Sequence, residues 1–572
     1  MANRLRGGEL LTKTLFERGV RTVFGIPGTQ TVGLFEAFRR SPLHLVTATS
    51  ELGSAFMANG YARASARLAV VCVSPGPGFL CALTGIGEAR HDSAPLLLLT
   101  SAPRTDSAKH FQLQHLPHEA IVRTLAKGVF VIEEARALAT SLEQAVMLAT
   151  TGEPGPVYVE IASGLLEEFI NPSTGSGEAP STSSGQVDFS EILELLRDSK
   201  RTVLFLGAGT NASADLVQTL AERLRAPVVT TCSARGIIPE DHPLVLGHDF
   251  SVAGVEPVNQ LFEEAELVLA LGCKFSHNGT AGYRLIINKE KLIHLDAERE
   301  VLGVNYPARI TLQADVRSFL SHALLELSPS TSRWDEEVLP RVRNAALDER
   351  TRFTQCFPSS PQGADWVEVF NSLRSALPRE SIVVTDSGLH QVITRAHYPI
   401  FRPRGLIVPT DFQSMGFGIP AAIGAAIAEA GTPVVAIIGD GGFLMSGMEL
   451  TAAVREQLNL TVVIFVDGQY GQIRNQQISN FGHDHGVRLP EFNYRNFADA
   501  IGMKHFVLEP PVQQTFEQCF HEQGVKLLEV PLRDASRLLR TRVAASVRET
   551  IKRSFGREVT NALREIRRFG RK

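Results

Sequence analysis

Apolar residues occur along the chain in short continuous runs, which alternate with longer stretches of helical periodicity. Runs such as LAVVCVS (68–74), TVLFLG (202–207) and PVVAIIGD (433–440) show no apolar–polar alternation and end in Ser, Gly or Asp. Strands buried on both faces of a parallel sheet have this character, and the helical stretches supply the crossovers. The pattern predicts an α/β fold of doubly wound parallel sheets, with ligands beyond the carboxyl ends of the strands.

Two breaks in composition divide the chain into segments of domain size. The stretch NPSTGSGEAPSTSSGQ (171–186) has almost no apolar residue and is typical of a solvated linker. A softer break extends over residues 328–363. We therefore predict three consecutive doubly wound domains and a tail, which cover residues 1–170, 188–327, 364–532 and 533–572.

Composition narrows the class of protein. Of the 572 residues, 44% are hydrophobic and 21% are charged, and no run of 18 apolar residues predicts a membrane span. The first twenty residues resemble an amphipathic helix and not a signal peptide. The six cysteines form no CxxC pair, which favours reduced core residues. We expect a cytoplasmic protein without a nucleic-acid partner.

One segment of the third predicted domain combines two strand ends with glycine and acidic residues. A strand ends at GDGG (439–442), a helix of about 15 residues follows, and a second strand ends at DGQ (467–469). Such a crossover makes the strands parallel neighbours, so Asp440 and Asp467 emerge at one sheet edge. Two carboxylates beside phosphate oxygens suit Mg²⁺, and the glycines permit close approach of phosphates. The alternative is a generic nucleotide-binding turn.

This segment resembles the thiamine-diphosphate-binding signature, in which GDG is followed after about two dozen residues by two asparagines. The resemblance implies that Asp440 and Asp467 are side-chain ligands of Mg²⁺ and that Gln469 contributes its backbone carbonyl. Val466-Asp467 stands where the family has Asn-Asn. One extra negative charge is therefore expected to face the diphosphate.

A glutamate near the N-terminus is the candidate for the catalytic base. The stretch TSELGSAFMANGYAR (49–63), downstream of VFGIPGT (23–29), resembles the pyrimidine-binding domain of acetolactate synthase and its relatives. In that family a glutamate hydrogen-bonds the aminopyrimidine and promotes loss of the thiazolium C2 proton, so the resemblance gives this role to Glu51. The alternative is a glutamate that only favours the helix dipole.

Further motifs resemble the same family and imply cofactor contacts. They are SPGPGFLCALTGIGEARHDSAPLLLLTS (74–101), TDSGLHQ (385–391) and QSMGFGIPAAIGAAIA (413–428). By resemblance Met415 holds the two cofactor rings in a bent conformation, although methionine is more often core filling. The expected cofactor-binding residues are Gly28, Gly388, His390, Met415, Gly439, Gly441, Gly442, Tyr470, Gly471 and Ile473.

A catalytic glutamine is expected from HFQLQHLPHEAIVRTLAK (110–127), which resembles an acetolactate synthase segment with a glutamine ahead of a lysine. The spacing to Lys127 favours Gln114, which we rank first, whereas the local Phe-Gln pair favours Gln112. The nearby histidines are interpreted as surface residues, with proton shuttling as the alternative. They are His110, His115 and His118.

The middle segment resembles the family's central domain through LGAGTNASADLVQTLAERL (206–224). In acetolactate synthase that domain carries a structural FAD. A single GAGTN turn is a weak indicator of a dinucleotide, and the family's arginine-and-aspartate loop appears here as KFSH (274–277). FAD is therefore possible but not favoured.

The resemblance covers about 1–532 and implies an enzyme that decarboxylates a 2-oxo acid and transfers the acyl unit to a second carbonyl compound. Simple decarboxylation is one alternative, and a catalytically silent cofactor-binding regulatory homologue is another. In this family the active sites lie between two chains, which implies a homodimer or homotetramer.

Four departures from acetolactate synthase suggest a specialised relative. They are Ser50, Cys81, Asp467 and Gln476. Arg474 and Gln476 are candidate substrate residues, because a guanidinium can pair with a substrate carboxylate. Pairing of Arg474 with a carboxylate on its own surface is an equal alternative.

The tail differs in charge from the rest of the chain. Residues 533–572 contain thirteen Lys/Arg and four Asp/Glu, whereas the whole chain has a net charge of -4. Apolar residues recur there at steps of four and three, which predicts a basic amphipathic helix. Docking on the acidic remainder is the preferred interpretation. A lid over the active site, a partner helix and an anionic membrane surface are alternatives.

Overall fold

The structure of the protein is a computed structural model that describes residues 5–102, 112–170, 187–247, 249–329, 334, 336–354 and 366–532. The predicted linker at 171–186 and the predicted basic helix within 533–572 lie outside the described residues. Among the described helices, none is both long enough and apolar enough to cross a membrane.

The first domain contains β1 (Leu5–Arg6), α1 (Gly7–Glu17), β2 (Thr22–Gly25), α2 (Val32–Arg39), β3 (His44–Thr47), α3 (Glu51–Ser65), β4 (Ala69–Cys72), α4 (Pro77–His91), β5 (Leu96–Ala102), α5 (His118–Val122), β6 (Gly128–Ile132), α6 (Leu138–Thr150), β7 (Pro156–Ala162) and β8 (Phe169–Ile170). Within the described residues, six strands form a parallel sheet in the order β3-β2-β4-β5-β7-β6. Alternate residues face opposite layers, so Val70 packs with α1 and α6 while Val71 packs with α3 and α4.

The middle domain contains α7 (Ser190–Asp198), β9 (Thr202–Leu206), α8 (Ala214–Leu224), β10 (Val228–Thr230), α9 (Val255–Glu264), β11 (Leu267–Leu271), β12 (Leu292–Asp296), β13 (Ile310–Gln313) and α10 (Val316–Glu326), with α11 (Val338–Thr354) after it. In its described part, five parallel strands have the order β10-β9-β11-β12-β13.

The third domain contains α12 (Trp366–Ser375), β14 (Ile382–Thr385), α13 (Leu389–His397), β15 (Leu406–Ile407), α14 (Gly418–Ala428), β16 (Val434–Gly439), α15 (Asp440–Ser446), α16 (Leu450–Arg455), β17 (Leu460–Val466), α17 (Gly471–Phe481), α18 (Tyr494–Ile501), β18 (Lys504–Val507), α19 (Val512–His521) and β19 (Lys526–Pro531). Six described strands form a parallel sheet in the order β15-β14-β16-β17-β19-β18.

The predicted α/β class is therefore confirmed. In each of the three parallel sheets, the chain adds its second strand on one side of the first strand and its third strand on the other side. The direction of connection therefore reverses between β2 and β4, between β9 and β11, and between β14 and β16. These are topological switch points, where the loops after two neighbouring strands diverge and leave a crevice for a ligand. The three switch points define where a site is to be sought.

One helix differs from the prediction. The helix expected after GDGG is divided into α15 and α16 by a 3₁₀ turn over Gly447–Glu449. The turn directs the buried Glu449 side chain onto the first domain, where it accepts two hydrogen bonds. The helix is therefore interrupted at the point where Glu449 contacts Thr49 and Ser50 of the first domain.

The first and third domains pack directly through glycine. A Cβ at Gly60 of α3 would lie 1.9 Å from the Ala421 carbonyl oxygen, and one at Gly424 of α14 would lie 1.8 Å from the Met57 carbonyl oxygen. The two helices touch backbone to backbone, and their small residues form one apolar core that both sheets share. The middle domain is attached through the buried ion pair Arg395–Asp249, at 2.8 Å.

Candidate functional site

A cavity of about 280 Å³ opens at the switch point of the third sheet. It lies beyond the ends of β14, β16 and β17. All of the metal and cofactor residues predicted in this domain line it. They are Gly388, His390, Met415, Gly439, Asp440, Gly441, Gly442, Asp467, Gln469, Tyr470, Gly471 and Ile473.

Asp440 and Asp467 form the acidic part of this cavity. Asp440 accepts hydrogen bonds from the backbone N–H of Gly441 at 2.9 Å, Asp467 at 3.1 Å and Gly468 at 2.6 Å. Burial raises the pKa of Asp440, and burial together with the charge of Asp440 raises the pKa of Asp467 to about 7. Two buried carboxylates, one of which raises the pKa of the other, form a site that a cation would stabilise.

The donor set fits Mg²⁺ together with a phosphate-bearing cofactor. Among the described residues, no three His, Cys, Asp or Glu side chains group as a metal site, so the two carboxylates require further oxygen donors. A Cβ at Gly441 would lie 2.8 Å from the Tyr470 ring, and one at Gly439 would lie 3.0 Å from His390 Nδ1. Larger residues would fill the space that phosphates would use.

The opposite wall is built on Asp386, which follows β14. Its carboxylate accepts the backbone N–H groups of Gly416 and Gly418, each at 3.1 Å, and so holds the segment that carries Met415. His390 Nε2–H donates to the Asp386 carbonyl oxygen at 3.0 Å. Burial lowers the pKa of His390 to about 4, so its imidazole is neutral near pH 7.

The metal loop is held by a second segment of the third domain. Tyr470 N–H donates to the Val487 carbonyl at 2.8 Å, and the Arg488 guanidinium donates to Gln469 Oε1 at 2.8 Å. Arg474 is buried and its Nε–H donates to Asp484 at 2.7 Å. The candidate substrate guanidinium therefore pairs with a carboxylate of its own domain, while Gln476 is exposed on α17.

Glu51 lies in the first domain, at its own switch point. It is the first residue of α3, and a Cβ at Gly78 would lie 3.1 Å from its Oε1. Gly28 lies across the same crevice, where a Cβ would be 1.8 Å from Ser74 Oγ. Every described residue that lines the 280 Å³ cavity belongs to the third domain, so Glu51 is not part of that wall in one chain.

Gln114 has the features of a residue held ready for a ligand. Its φ is 62°, its backbone packs on Gly76, and its buried Oε1 has no hydrogen-bond partner among the described residues. Gln112 is half-buried two residues earlier.

The surface interpretation is wrong for His118, which is 2% exposed. Its Nε2 accepts the Gly76 N–H at 2.9 Å and its Nδ1 donates to Glu160 at 2.9 Å. His115 is exposed, and His110 lies outside the described residues.

Seven residues that line the cavity were not predicted, and two of them, Ser387 and Gln413, are polar residues beside Met415. Ser387 donates to Gln413 Oε1 at 3.1 Å, and both side chains border the cavity beside Met415. Ser387 and Gln413 each lie inside a motif from which another residue was predicted as a cofactor contact. A sequence motif therefore identifies a segment of the site more readily than each side chain that lines it.

A second cavity of about 350 Å³ lies where the three domains meet, at the middle switch point. Its Gly207 is required by packing, since a Cβ there would be 2.0 Å from the Gly272 carbonyl oxygen. Three of the cations that line it already pair with carboxylates, Lys274 with Glu153, Arg63 with Asp92 and Arg395 with Asp249. Arg404, which also lines the cavity, has no ion pair with a carboxylate among the described residues.

Comparison with known proteins matches all three domains to one family. Models described as the N-terminal TPP binding, central and C-terminal TPP binding domains of thiamine pyrophosphate enzymes match residues 5–122, 189–323 and 386–530. A probable acetolactate synthase large subunit of Methanocaldococcus jannaschii is 30% identical over 87% of both chains. The acetolactate synthase large subunit of Lactococcus lactis is 30% identical over 88% of both chains. Escherichia coli isozyme 1 large subunit is 27% identical, over 92% of this chain and 94% of its own.

Proposed function

Since this chain belongs to the thiamine pyrophosphate enzymes and is acetolactate synthase-like, we propose that it decarboxylates a 2-oxo acid and transfers the acyl unit to a second carbonyl compound. The observation that carries the proposal is the pair Asp440 and Asp467, on neighbouring strand ends beside a cavity. In this proposal the two carboxylates and the Gln469 carbonyl hold Mg²⁺, which would bind the cofactor diphosphate.

The roles proposed for this chain's residues come from the family resemblance, and their positions support them. Bound thiamine diphosphate would supply the electron sink as carbon dioxide leaves. The carboxyl of Glu51 would exchange a proton with the aminopyrimidine, and Met415 would support the cofactor from the cavity wall. Gln114, whose buried Oε1 has no partner among the described residues, would accept a hydrogen bond from a substrate hydroxyl.

We further propose that the active site lies between two chains of a homodimer or homotetramer. Glu51 and the metal loop belong to different walls, and apolar side chains are exposed near both of them. Leu80 on α4 is 46% exposed, while Met445 and Met448 after the metal turn are 54% and 57% exposed. A second copy of the chain would cover these surfaces and bring Glu51 to the cofactor.

FAD is not favoured at the three-domain cavity, because packing against Gly272 already accounts for Gly207 and because Lys274, Arg63 and Arg395 are paired with carboxylates. The purified protein tests this directly, because bound flavin absorbs near 450 nm. A flavin spectrum that persists after gel filtration would contradict this part of the proposal.

The central test is substitution of Glu51. Glu51→Gln should lower turnover of a 2-oxo acid by about 10²–10⁴-fold, because proton transfer is lost, while thiamine diphosphate affinity stays within about threefold. Glu191→Gln, on the exposed surface of α7, is the matched control. Turnover is followed as carbon dioxide and product across a panel of 2-oxo acids, which also separates acyl transfer from simple decarboxylation. Full activity of Glu51→Gln would exclude the proposed role.

A further inference from the structure

Glu449 reaches from the third domain into the first. It lies in the 3₁₀ turn between α15 and α16 and is only 2% exposed. Its Oε2 accepts the backbone N–H of Thr49 at 2.9 Å, and its Oε1 accepts the hydroxyl of Ser50 at 2.7 Å. A buried carboxylate of one domain thus binds the two residues that precede Glu51.

Ser50 connects Glu449 to the N-terminus of helix α3. As the N-cap residue, its Oγ accepts the N–H of Gly53 at 2.9 Å, so one hydroxyl both caps the helix and donates to Glu449. A Cβ at Gly53 would lie 2.0 Å from Glu449 Oε1, so the carboxylate occupies the space that a side chain would take. The first turn of α3 is therefore built around Glu449.

We propose that Glu449 is a positioning residue for Glu51 and acts through Ser50. The inference rests on the proposed function, in which the Glu51 carboxyl meets the aminopyrimidine. Glu51 is the next residue after the N-cap, so the direction of its side chain depends on the cap that Glu449 fixes. A small misplacement of a proton-transfer group costs a large factor in rate.

The arrangement has a consequence for an assembly with active sites between chains. The third domain that holds one cofactor would also fix the glutamate that serves the other site. Glu449 lies only nine residues after Asp440. A conformational change at the metal loop could therefore reach the Glu51 that serves the other active site through Glu449 and Ser50.

A neighbouring contact provides a matched control. His44 Nε2 lies 2.9 Å from Glu456 Oε2, and this contact joins the same two domains without involving Ser50 or the N-terminus of α3. Glu456→Gln therefore perturbs a more exposed contact at the same domain boundary and leaves the helix cap in place.

The test measures exchange of the C2 proton of bound thiamine diphosphate in D₂O, by acid quench and NMR, on the full-length protein loaded with Mg²⁺. Glu449→Gln and Ser50→Ala should each slow exchange by at least about tenfold, with cofactor affinity by calorimetry within about threefold. The double variant should be no slower than the worse single variant, because both remove one coupling. Ser50→Thr, which keeps a hydroxyl, and Glu456→Gln should exchange within about twofold of wild type.

Wild-type exchange in Ser50→Ala, or in a folded Glu449→Gln, would overturn the inference. If Glu449→Gln does not fold, Ser50→Ala decides alone. Failure of the proposed function has a different signature: the wild-type chain takes up no thiamine diphosphate, or Glu51→Gln leaves the exchange rate unchanged.

Discussion

The middle and third domains both have a topological switch point with a glycine-rich turn, but different groups surround the glycines. Each has a glycine-rich turn at the end of a strand that borders the switch point, after β9 in the middle domain and after β16 in the third. In the third domain the glycine backbone faces side chains that line a cavity, such as Tyr470 against Gly441. In the middle domain Gly207 faces the backbone of Gly272. The first glycine leaves room for a ligand, whereas the second permits two turns to touch.

The charged side chains around the two turns also differ. Around the middle cavity, Lys274 pairs with Glu153, so its charge is already neutralised. At the metal loop the charge of Asp440 adds to burial in raising the pKa of Asp467. The metal loop therefore gathers like charges that a cation would stabilise, whereas the charge of Lys274 at the middle cavity is already paired.

The largest expected effect comes from matched removal of one carboxylate at each site. Asp440→Asn should weaken Mg²⁺-dependent binding of thiamine diphosphate by at least about 100-fold, or ~2.7 kcal/mol, because it deletes a charged metal ligand. Asp296→Asn, at the end of the middle-domain strand β12, removes a carboxylate that is also buried and should leave that affinity within about twofold. Calorimetry with Mg²⁺ present measures both. Comparable losses in the two variants would remove the distinction between the sites.

Glycine substitutions probe the packing difference. Gly207→Ala should destabilise the fold by about 1–3 kcal/mol, because its Cβ meets a backbone oxygen that cannot move aside. Gly441→Ala should instead weaken cofactor affinity by about tenfold with little loss of stability, since the Tyr470 ring would be displaced into the cavity. Denaturant unfolding and cofactor titration of both variants separate the effects. A Gly207→Ala protein of wild-type stability would contradict the close contact between the two turns.

The sequence was most informative where a physical pattern is local. Continuous apolar runs predicted the strands of the parallel sheets, because strands buried on both faces need no alternation, and the observed β4, β9 and β16 fall within them. The spacing between Asp440 and Asp467 predicted neighbouring strand ends, because a helical crossover of this length connects adjacent parallel strands. Both inferences required only the geometry of one βαβ unit.

It was least informative where burial depends on distant partners. His118 lies in a polar segment that gives no sign of burial, yet Glu160 and Gly76, each 42 residues away in sequence, surround it. Glu449 was missed because its partners Thr49 and Ser50 are about 400 residues away in sequence. A helical pattern through 440–455 gave no hint of the turn that brings Glu449 there. Such contacts arise from domain packing, which a local pattern does not encode.

A smaller effect concerns the carboxylate that replaces the family's asparagine. With a pKa of about 7, Asp467 is partly protonated at neutral pH before metal binds, so protons compete with Mg²⁺. Mg²⁺ affinity should rise by about tenfold from pH 6 to pH 8 in the wild type, because deprotonation restores the ligand. Asp467→Asn should flatten this dependence to less than about twofold. Titrations of Mg²⁺ at fixed cofactor concentration across that range provide the measurement, and a pH-independent wild type would contradict the assignment.

The smallest effect is expected at the segment of the third domain that contacts the metal loop through Val487 and Arg488. Asp484→Asn weakens the partner of the buried Arg474 and should lower Mg²⁺ affinity by about threefold to tenfold, because the loop carrying Gln469 is then less rigidly held. Asp499→Asn, on the exposed surface of α18, is the control. If Asp484→Asn instead leaves Mg²⁺ affinity unchanged and raises only the KM for the 2-oxo acid, Arg474 serves the substrate carboxylate and not the loop. The Mg²⁺ titration and the substrate dependence of the same variant therefore decide between the two roles that the sequence left open for this arginine.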